Sequence, residues 1–270
     1  MKKKILALTV TAIMAIGLLA GCGNSSDENA DSWTKVSDKG EFILGLDDSF
    51  PPMGYRDDDD NIVGFDIDVA KEVFTRLDIK LTMQPISWDA KEQELNTGNI
   101  DAIWNGFTIT PDKEEELLFS EPYMRNRQVL VVTGDSNVKT LADLKGKTLE
   151  IQAGSSAADA LNASADFKDS LKDVLEVKDN VLALMDLEKG GTDAVLMDEI
   201  VARYFIEQNN KDYKVLDEAL SKEEYGIGFR KDDKELMEKV QETLNEMAED
   251  GTLADISNTW FGEDITTVGK

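Results

Sequence analysis

Most residues of this sequence that could do binding chemistry stand at the ends of apolar runs. Gly45-Leu46-Asp47-Asp48-Ser49-Phe50-Pro51-Pro52 places a carboxylate and an aromatic ring where a strand has to stop, because the prolines cannot continue its ladder. In open α/β sheets ligands bind outside the carboxyl ends of strands, so the motif reads as a binding edge or, equally, as a plain strand end with a capping Asp. Trp104-Asn105-Gly106-Phe107-Thr108-Ile109-Thr110-Pro111-Asp112-Lys113 follows the next strand. Its small and hydroxyl residues leave backbone N–H and C=O groups open, as a zwitterion requires, although a simple strand-to-helix loop has the same composition. Asp57, Asp59 and Asn61 have the spacing of the first ligands of a calcium loop, but Ile62 stands where the sharp turn needs glycine and Asp68 where the bidentate glutamate belongs. An exposed acidic turn between two strands is the better reading. The chain has no histidine, which removes Ser-His-Asp and Cys-His catalysis and the commonest transition-metal ligand. No metal, cofactor or catalytic residue is expected.

The elements that must position these residues alternate between periods of 2 and 3.6. Strands are expected at 41–46, 100–104, 129–133, 148–152 and 193–197. A helix at 66–77 carries Ile67, Ala70, Phe74 and Leu77 on one face; another opens at Asp89 as N-cap with Glu92 as capping-box partner, and Gly98 closes it. A further helix is expected from about Ser156, and another after the strand at 193–197, running through Asn209. A final one at 234–250 keeps Leu236, Val240, Leu244 and Met247 on one stripe and stops at Gly251. Strands separated by helices imply an α/β protein with mostly parallel sheets.

The first residues are Lys2, Lys3 and Lys4, then an apolar run from Ile5 to Ala20, then Leu19-Ala20-Gly21-Cys22. A charged start, an apolar stretch too short for a stop-transfer helix and small residues before a cysteine read as an export signal over residues 1–21. Cys22 is the single cysteine of the 270 residues, so no intramolecular disulfide can form. Residues 22–32 are small and polar and read as a flexible tether. The formal net charge is −26, and residues 1–21 hold three lysines and no acids, so the remainder is more negative still. Nucleic acid and anionic lipid surfaces are excluded as partners of the folded part, since both favour positive charge.

The motifs GLDDSFPP, NIVGFDIDVAKEV, GNIDAIWNGFTITPDK, FSEPY, LADLKGKTLEIQAGSSAADAL, GGTDAVLMD and GIGFRKDDKELMEKVQETLNEMAEDGTLADISNTWFG, taken in order, resemble the amino-acid-binding family of bacterial extracellular solute-binding proteins. The likeness runs from about Phe42 to Gly262, and Leu-Ala-Gly-Cys resembles the lipobox of bacterial lipoproteins, which makes Cys22 the acylation site. The resemblance implies a type II periplasmic-binding-protein fold: two lobes, 33–127 with 228–270 and 128–227, joined by two crossover strands. It implies an extracytoplasmic, membrane-anchored monomer that hands an amino acid to an ABC transporter permease.

By the same resemblance Asp198 holds the ligand's α-ammonium, although alone it reads as a helix N-cap. Asn105, Gly106, Thr108 and the turn Gly154-Ser155-Ser156 match positions that bind the α-carboxylate and ammonium through backbone and hydroxyl. Asp47, Phe50 and Trp88 match the side-chain pocket, two rings able to sandwich an extended ligand and a carboxylate able to meet an amide or a cation. Glutamine or a basic amino acid is therefore expected and acidic ones are not. Where the family usually carries an arginine for the α-carboxylate, this chain has Lys113, which keeps the charge and loses the planar fork. Either Lys113 acts as a point charge, or Arg125 or Arg127 compensates, or the ligand is not an ordinary α-amino acid. The rival functions are a ligand sensor for a signalling partner and a dehydratase or lyase on the same fold; an enzyme would need a cleft acid poised for proton transfer, which the sequence does not mark.

Overall fold

The computed structural model describes residues 32–209 and 211–270; the expected export signal, Cys22 and all of the expected tether except Ser32, which opens the first helix, lie outside them. The strands are β1 (Glu41–Leu46), β2 (Ser49–Phe50), β3 (Gly54–Arg56), β4 (Ile62–Val63), β5 (Lys80–Pro85), β6 (Ala102–Ile103) and β7 (Leu117–Phe119). They continue with β8 (Met124–Thr133), β9 (Thr148–Gln152), β10 (Asp173–Val177), β11 (Ala194–Asp198), β12 (Tyr213–Tyr225) and β13 (Gly228–Arg230). The helices are α1 (Ser32–Lys39), α2 (Phe65–Arg76), α3 (Lys91–Asn96), α4 (Pro111–Glu116), α5 (Ser156–Ala163), α6 (Ala165–Ser170), α7 (Asn180–Glu188), α8 (Glu199–Asn209), α9 (Lys234–Glu249) and α10 (Thr252–Phe261).

Two five-stranded sheets form, in the orders β5-β1-β6-β13-β7 and β10-β9-β11-β8-β12, each with helices packed on it, so the protein has two lobes. In each sheet the first three strands run parallel and the last two join antiparallel. The sheets are therefore mixed rather than mostly parallel. In these two sheets the antiparallel pairs all involve β7, β8, β12 and β13, the stretches that carry the chain between lobes and back, while β2, β3 and β4 form a small antiparallel sheet of their own. β8 and β12 pair over nearly their whole length, from Tyr213↔Thr133 to Tyr225↔Met124, with register shifts around Ala219.

Burial explains the elements that periodicity forecasts. Phe42, Leu44 and Leu46 of β1 are fully buried, and Phe42 stacks on Phe74 of α2 with centroids 4.1 Å apart. Ile67, Ala70 and Phe74 make the inner face of α2, and Leu236, Val240, Leu244 and Met247 that of α9. One apolar cluster runs through both lobes, a second belongs to the β8–β9–β11 lobe and a third surrounds Trp88, Leu95 and Ile103.

Several expectations need correction. Asp89 does not cap a helix: it sits inside a 3-10 turn, Trp88–Ala90, where its carboxylate accepts the Ser87 hydroxyl at 2.5 Å, and α3 starts only at Lys91. The strand expected at 100–104 is reduced to Ala102–Ile103, and that at 193–197 lies one residue later. The helix at 234–250 is not the last, because α10 follows directly after Gly251. Asp57 to Asn61 is the acidic turn between β3 and β4, its Asp57 carboxylate accepting the N–H groups of Asp59 and Asn61 at 3.0 and 2.8 Å.

Candidate functional site

The ends of β1, β6, β9 and β11, and the loops that leave them, meet at a cleft between the lobes. Residues from both sides close there on a narrow space of about 10 Å³ accessible to water, room for roughly one water molecule. Phe50, Trp88, Gly106, Thr108, Lys113, Gly154, Ser155, Ser156 and Asp198 all line it.

Two of these positions require glycine. Gly106 has φ +59°, and a Cβ there would come within 2.8 Å of the Phe50 ring; Gly154 has φ +67°, and its Cβ would meet the Asp89 backbone at 2.8 Å. Bare backbone thus lets loop and ring close on the cleft. The Gly106 loop is held from behind by Asp66, whose carboxylate accepts the Gly106 N–H at 2.7 Å and the Tyr123 hydroxyl at 2.9 Å. Full burial pushes the Asp66 carboxyl up to about 7, against those hydrogen bonds.

Asp198 ends β11, and its side chain caps no helix turn. Its Oδ1 accepts from Asn126 at 2.6 Å and from the Tyr225 hydroxyl at 2.5 Å. Burial, with the Glu223 carboxylate second, raises it above the ordinary carboxylate range. Asp47 and Asn105 stand one layer back. Asn105 Oδ1 accepts the Asp47 N–H at 3.2 Å, and Asp47 Oδ2 accepts the Gln152 amide at 2.7 Å, so Gln152 presents that carboxylate's influence to the cleft. Burial pushes Asp47 up to about 6, opposed by the Gln152 bond. Both acids are thus buried with raised pKa values, a feature the sequence does not mark, and both are held by neighbouring amides.

Of the three cations considered for a carboxylate, only Lys113 reaches the space. Its Nζ donates to Asp159 on α5 across the cleft at 2.7 Å and lies 5.9 Å from the centroid of the Phe107 ring. Arg127 is engaged with Glu199 through two nitrogens, at 2.5 and 2.6 Å, and the Arg125 side chain is 79% exposed.

The sequence reading misses Lys91, Phe107 and Gln152, which also line the space, and Asn126, Gln128, Glu223 and Tyr225 around it. Lys91 is buried; its Nζ donates to the Gly154 carbonyl of the other lobe at 2.8 Å and to the Trp88 carbonyl at 3.1 Å, and pairs with Glu92 at 3.1 Å. It lies 5.2 and 5.8 Å from the Trp88 and Phe107 rings, which meet edge to face. Burial lowers its pKa. Gln152 is the last residue of β9, and the strand-end rule that singles out Asp47 could have found it. Lys91 has no comparable signal, because in the sequence it is one lysine in a polar helix.

With this geometry in place, the relationship to known proteins is direct: residues 42–263 match the model of the bacterial extracellular solute-binding proteins, family 3, and the chain belongs to that family. Among individual proteins, the chain is similar to the L-cystine-binding protein TcyA of Bacillus subtilis, 34% identical over 98% of this chain and 100% of the relative. It is similar also to the L-cystine-binding protein TcyJ of Escherichia coli K12, 31% identical over 94% of this chain and 95% of the relative. A crystal structure of a Streptococcus pneumoniae ABC uptake transporter substrate-binding protein with bound histidine superposes with TM-score 0.86 at 38% identity, over 88% of this chain and 99% of the other.

Proposed function

We propose that this chain is the extracytoplasmic receptor of an amino-acid importer of the ABC class, without catalytic activity, and that the inter-lobe cleft holds the amino acid. The observation that carries this reading is the meeting of Asp198, Lys113, three hydroxyls and three aromatic rings around one small space. An α-ammonium and an α-carboxylate need an acid and a base a few ångströms apart, and rings suit whatever lies between or beyond. Asp198 takes the ammonium and Lys113 the carboxylate. The lobes are 33–127 with 228–270 and 128–227, and β8 and β12 serve as the crossovers.

A second acid–base set borders the cleft, with Lys91 in its wall and Asp47 one layer behind. Lys91, bonded to Gly154, and Asp47, bonded to Gln152, meet residues only two apart in sequence. A ligand with an amino-acid group at each end, such as L-cystine, matches both sets, and the two cystine-binding relatives support it. Glutamine is the second reading, favoured by the neutral amide contact at Asp47. A basic ligand is less well served, because its cation would approach the Lys91 ammonium beside Trp88. Calorimetry of residues 23–270 should find L-cystine tightest, glutamine weaker and arginine weakest; arginine as the tightest ligand would overturn the second acid–base set, and no binding of any amino acid would overturn the function.

Anchoring by a lipid on Cys22 is part of the same proposal, supported by Leu19-Ala20-Gly21-Cys22 and the absence of another cysteine. In cells making the full chain, Cys22→Ser should move the protein from the membrane fraction to the soluble fraction after export, and a variant that stays with the membrane would count against the anchor. The folded part is read as a monomer whose partner is the permease, with no nucleic-acid role.

A further inference from the structure

Glu223 lies on β12 behind the cleft, and four donors converge on its Oε2: the Thr108 hydroxyl and the Gln128 amide at 3.1 Å, and the Ser156 hydroxyl and the Asn126 amide at 3.2 Å. Its Oε1 accepts the Ser221 hydroxyl at 3.0 Å. We propose that Glu223 is a positioning residue that fixes the hydroxyl protons of Thr108 and Ser156, so that both oxygens offer only lone pairs to the cleft and accept from the ligand's ammonium group. The proposal rests on the reading of the cleft as an amino-acid site.

The argument is one of proton count. A hydroxyl has a single proton and two lone pairs, whereas an ionised carboxylate can only accept. A hydroxyl beside a carboxylate therefore spends its proton on it, the stronger charge-assisted bond. Thr108 and Ser156 come from opposite lobes and their oxygens are 3.1 Å apart, both in the wall of the cleft. With both protons turned to Glu223, neither can donate to a ligand carboxylate. An ammonium brings three donors and no acceptor, which is what two such oxygens and Asp198 can serve.

The same carboxylate reinforces the charge of that corner. Asn126 Nδ2 donates both to Asp198 Oδ1 and to Glu223 Oε2, so the two acids share one amide. The ammonium end is thereby built from two acids and two lone-pair donors, while Lys113 and the start of α5 serve the carboxylate. A ligand bound the other way round would set its carboxylate against those lone pairs. Glu223 thus makes a free amine a requirement and gives the ligand its direction.

The test compares amines with their des-amino counterparts: L-cystine with 3,3′-dithiodipropionate, L-arginine with 5-guanidinopentanoate and L-glutamine with glutaramate, using residues 23–270 and ligand-detected NMR for millimolar affinities. Glu223→Leu frees the hydroxyl protons and should weaken the amine at least 30-fold while its des-amino partner changes less than threefold. Glu223→Gln keeps an acceptor without the charge and should weaken the amine three- to tenfold, again with the partner unmoved. Should the leucine variant fail to fold, the glutamine variant decides alone. Equal losses for amine and des-amino ligand in either folded variant, or no loss, would overturn the positioning role. If the wild-type chain binds none of the three amino acids, the amino-acid reading falls, and this proposal with it.

Discussion

Asp198→Asn should abolish useful amino-acid binding and, at pH 8, raise the melting temperature of the protein. Both bonds to Asp198 fall on Oδ1, so an asparagine oxygen can keep Asn126 and Tyr225 as partners. Asp198 lines the cleft, so the other atom, now an NH2 group, would set donor against donor where the proposed function puts the ammonium. A loss of about 2 to 5 kcal/mol follows from removing one charge of a buried pair. Stability moves oppositely. Burial raises the Asp198 carboxyl in the folded protein, so its contribution to stability is present below the unfolded value near pH 4 and is lost as pH rises through the folded one. The amide escapes that loss. A gain of about 1 kcal/mol would show as roughly 2–4 °C at pH 8 and vanish near pH 4. Calorimetry and thermal melts at both pH values read the two effects; retained affinity would remove Asp198 from the ammonium site.

Lys113→Ala should weaken binding by about 2 to 5 kcal/mol, since the ligand carboxylate would lose its charged partner in a closed cleft. At 1.4 kcal/mol per tenfold, that spans roughly thirtyfold to a few thousandfold. Lys113→Arg should bind as well or better, because the fork can make two parallel bonds to a carboxylate where the ammonium makes one. Arg125→Ala and Arg127→Ala should each change affinity by less than about threefold, since one side chain lies in solvent and the other is bound to Glu199. An unchanged affinity for Lys113→Ala beside a large loss at either arginine would reverse the assignment.

What could be read from the sequence was local and apolar. The stripe Leu236, Val240, Leu244 and Met247 marks α9 because each residue repeats the same burial, and a strand end marks Asp47 because sheets present ligands there, whereas Asp198 stood out only through the family resemblance. β12 escaped notice because Leu216, Asp217, Glu218 and their neighbours through Glu224 are mostly polar and partly exposed; that strand is held by pairing with β8, a contact made across some 90 positions of chain. Asp89 looked like a helix cap until the Ser87 hydroxyl took its oxygen. Lys91 and Glu223 acquire meaning only from the opposite lobe, through Gly154 and Thr108, and no local pattern encodes that.

The cleft wall is made of rings, hydroxyls, amides, carboxylates and ammonium groups, and from Gly23 to Lys270 the chain has no thiol. Exchange with a disulfide begins by thiolate attack on sulfur and passes through a mixed disulfide. A receptor of this composition can neither reduce a disulfide cargo nor become covalently trapped on it, and it has no internal crosslink for external reductants to open. Its carrying capacity is therefore independent of the redox poise around the cell, and a disulfide ligand would leave the cleft with the same sulfur–sulfur bond it brought in.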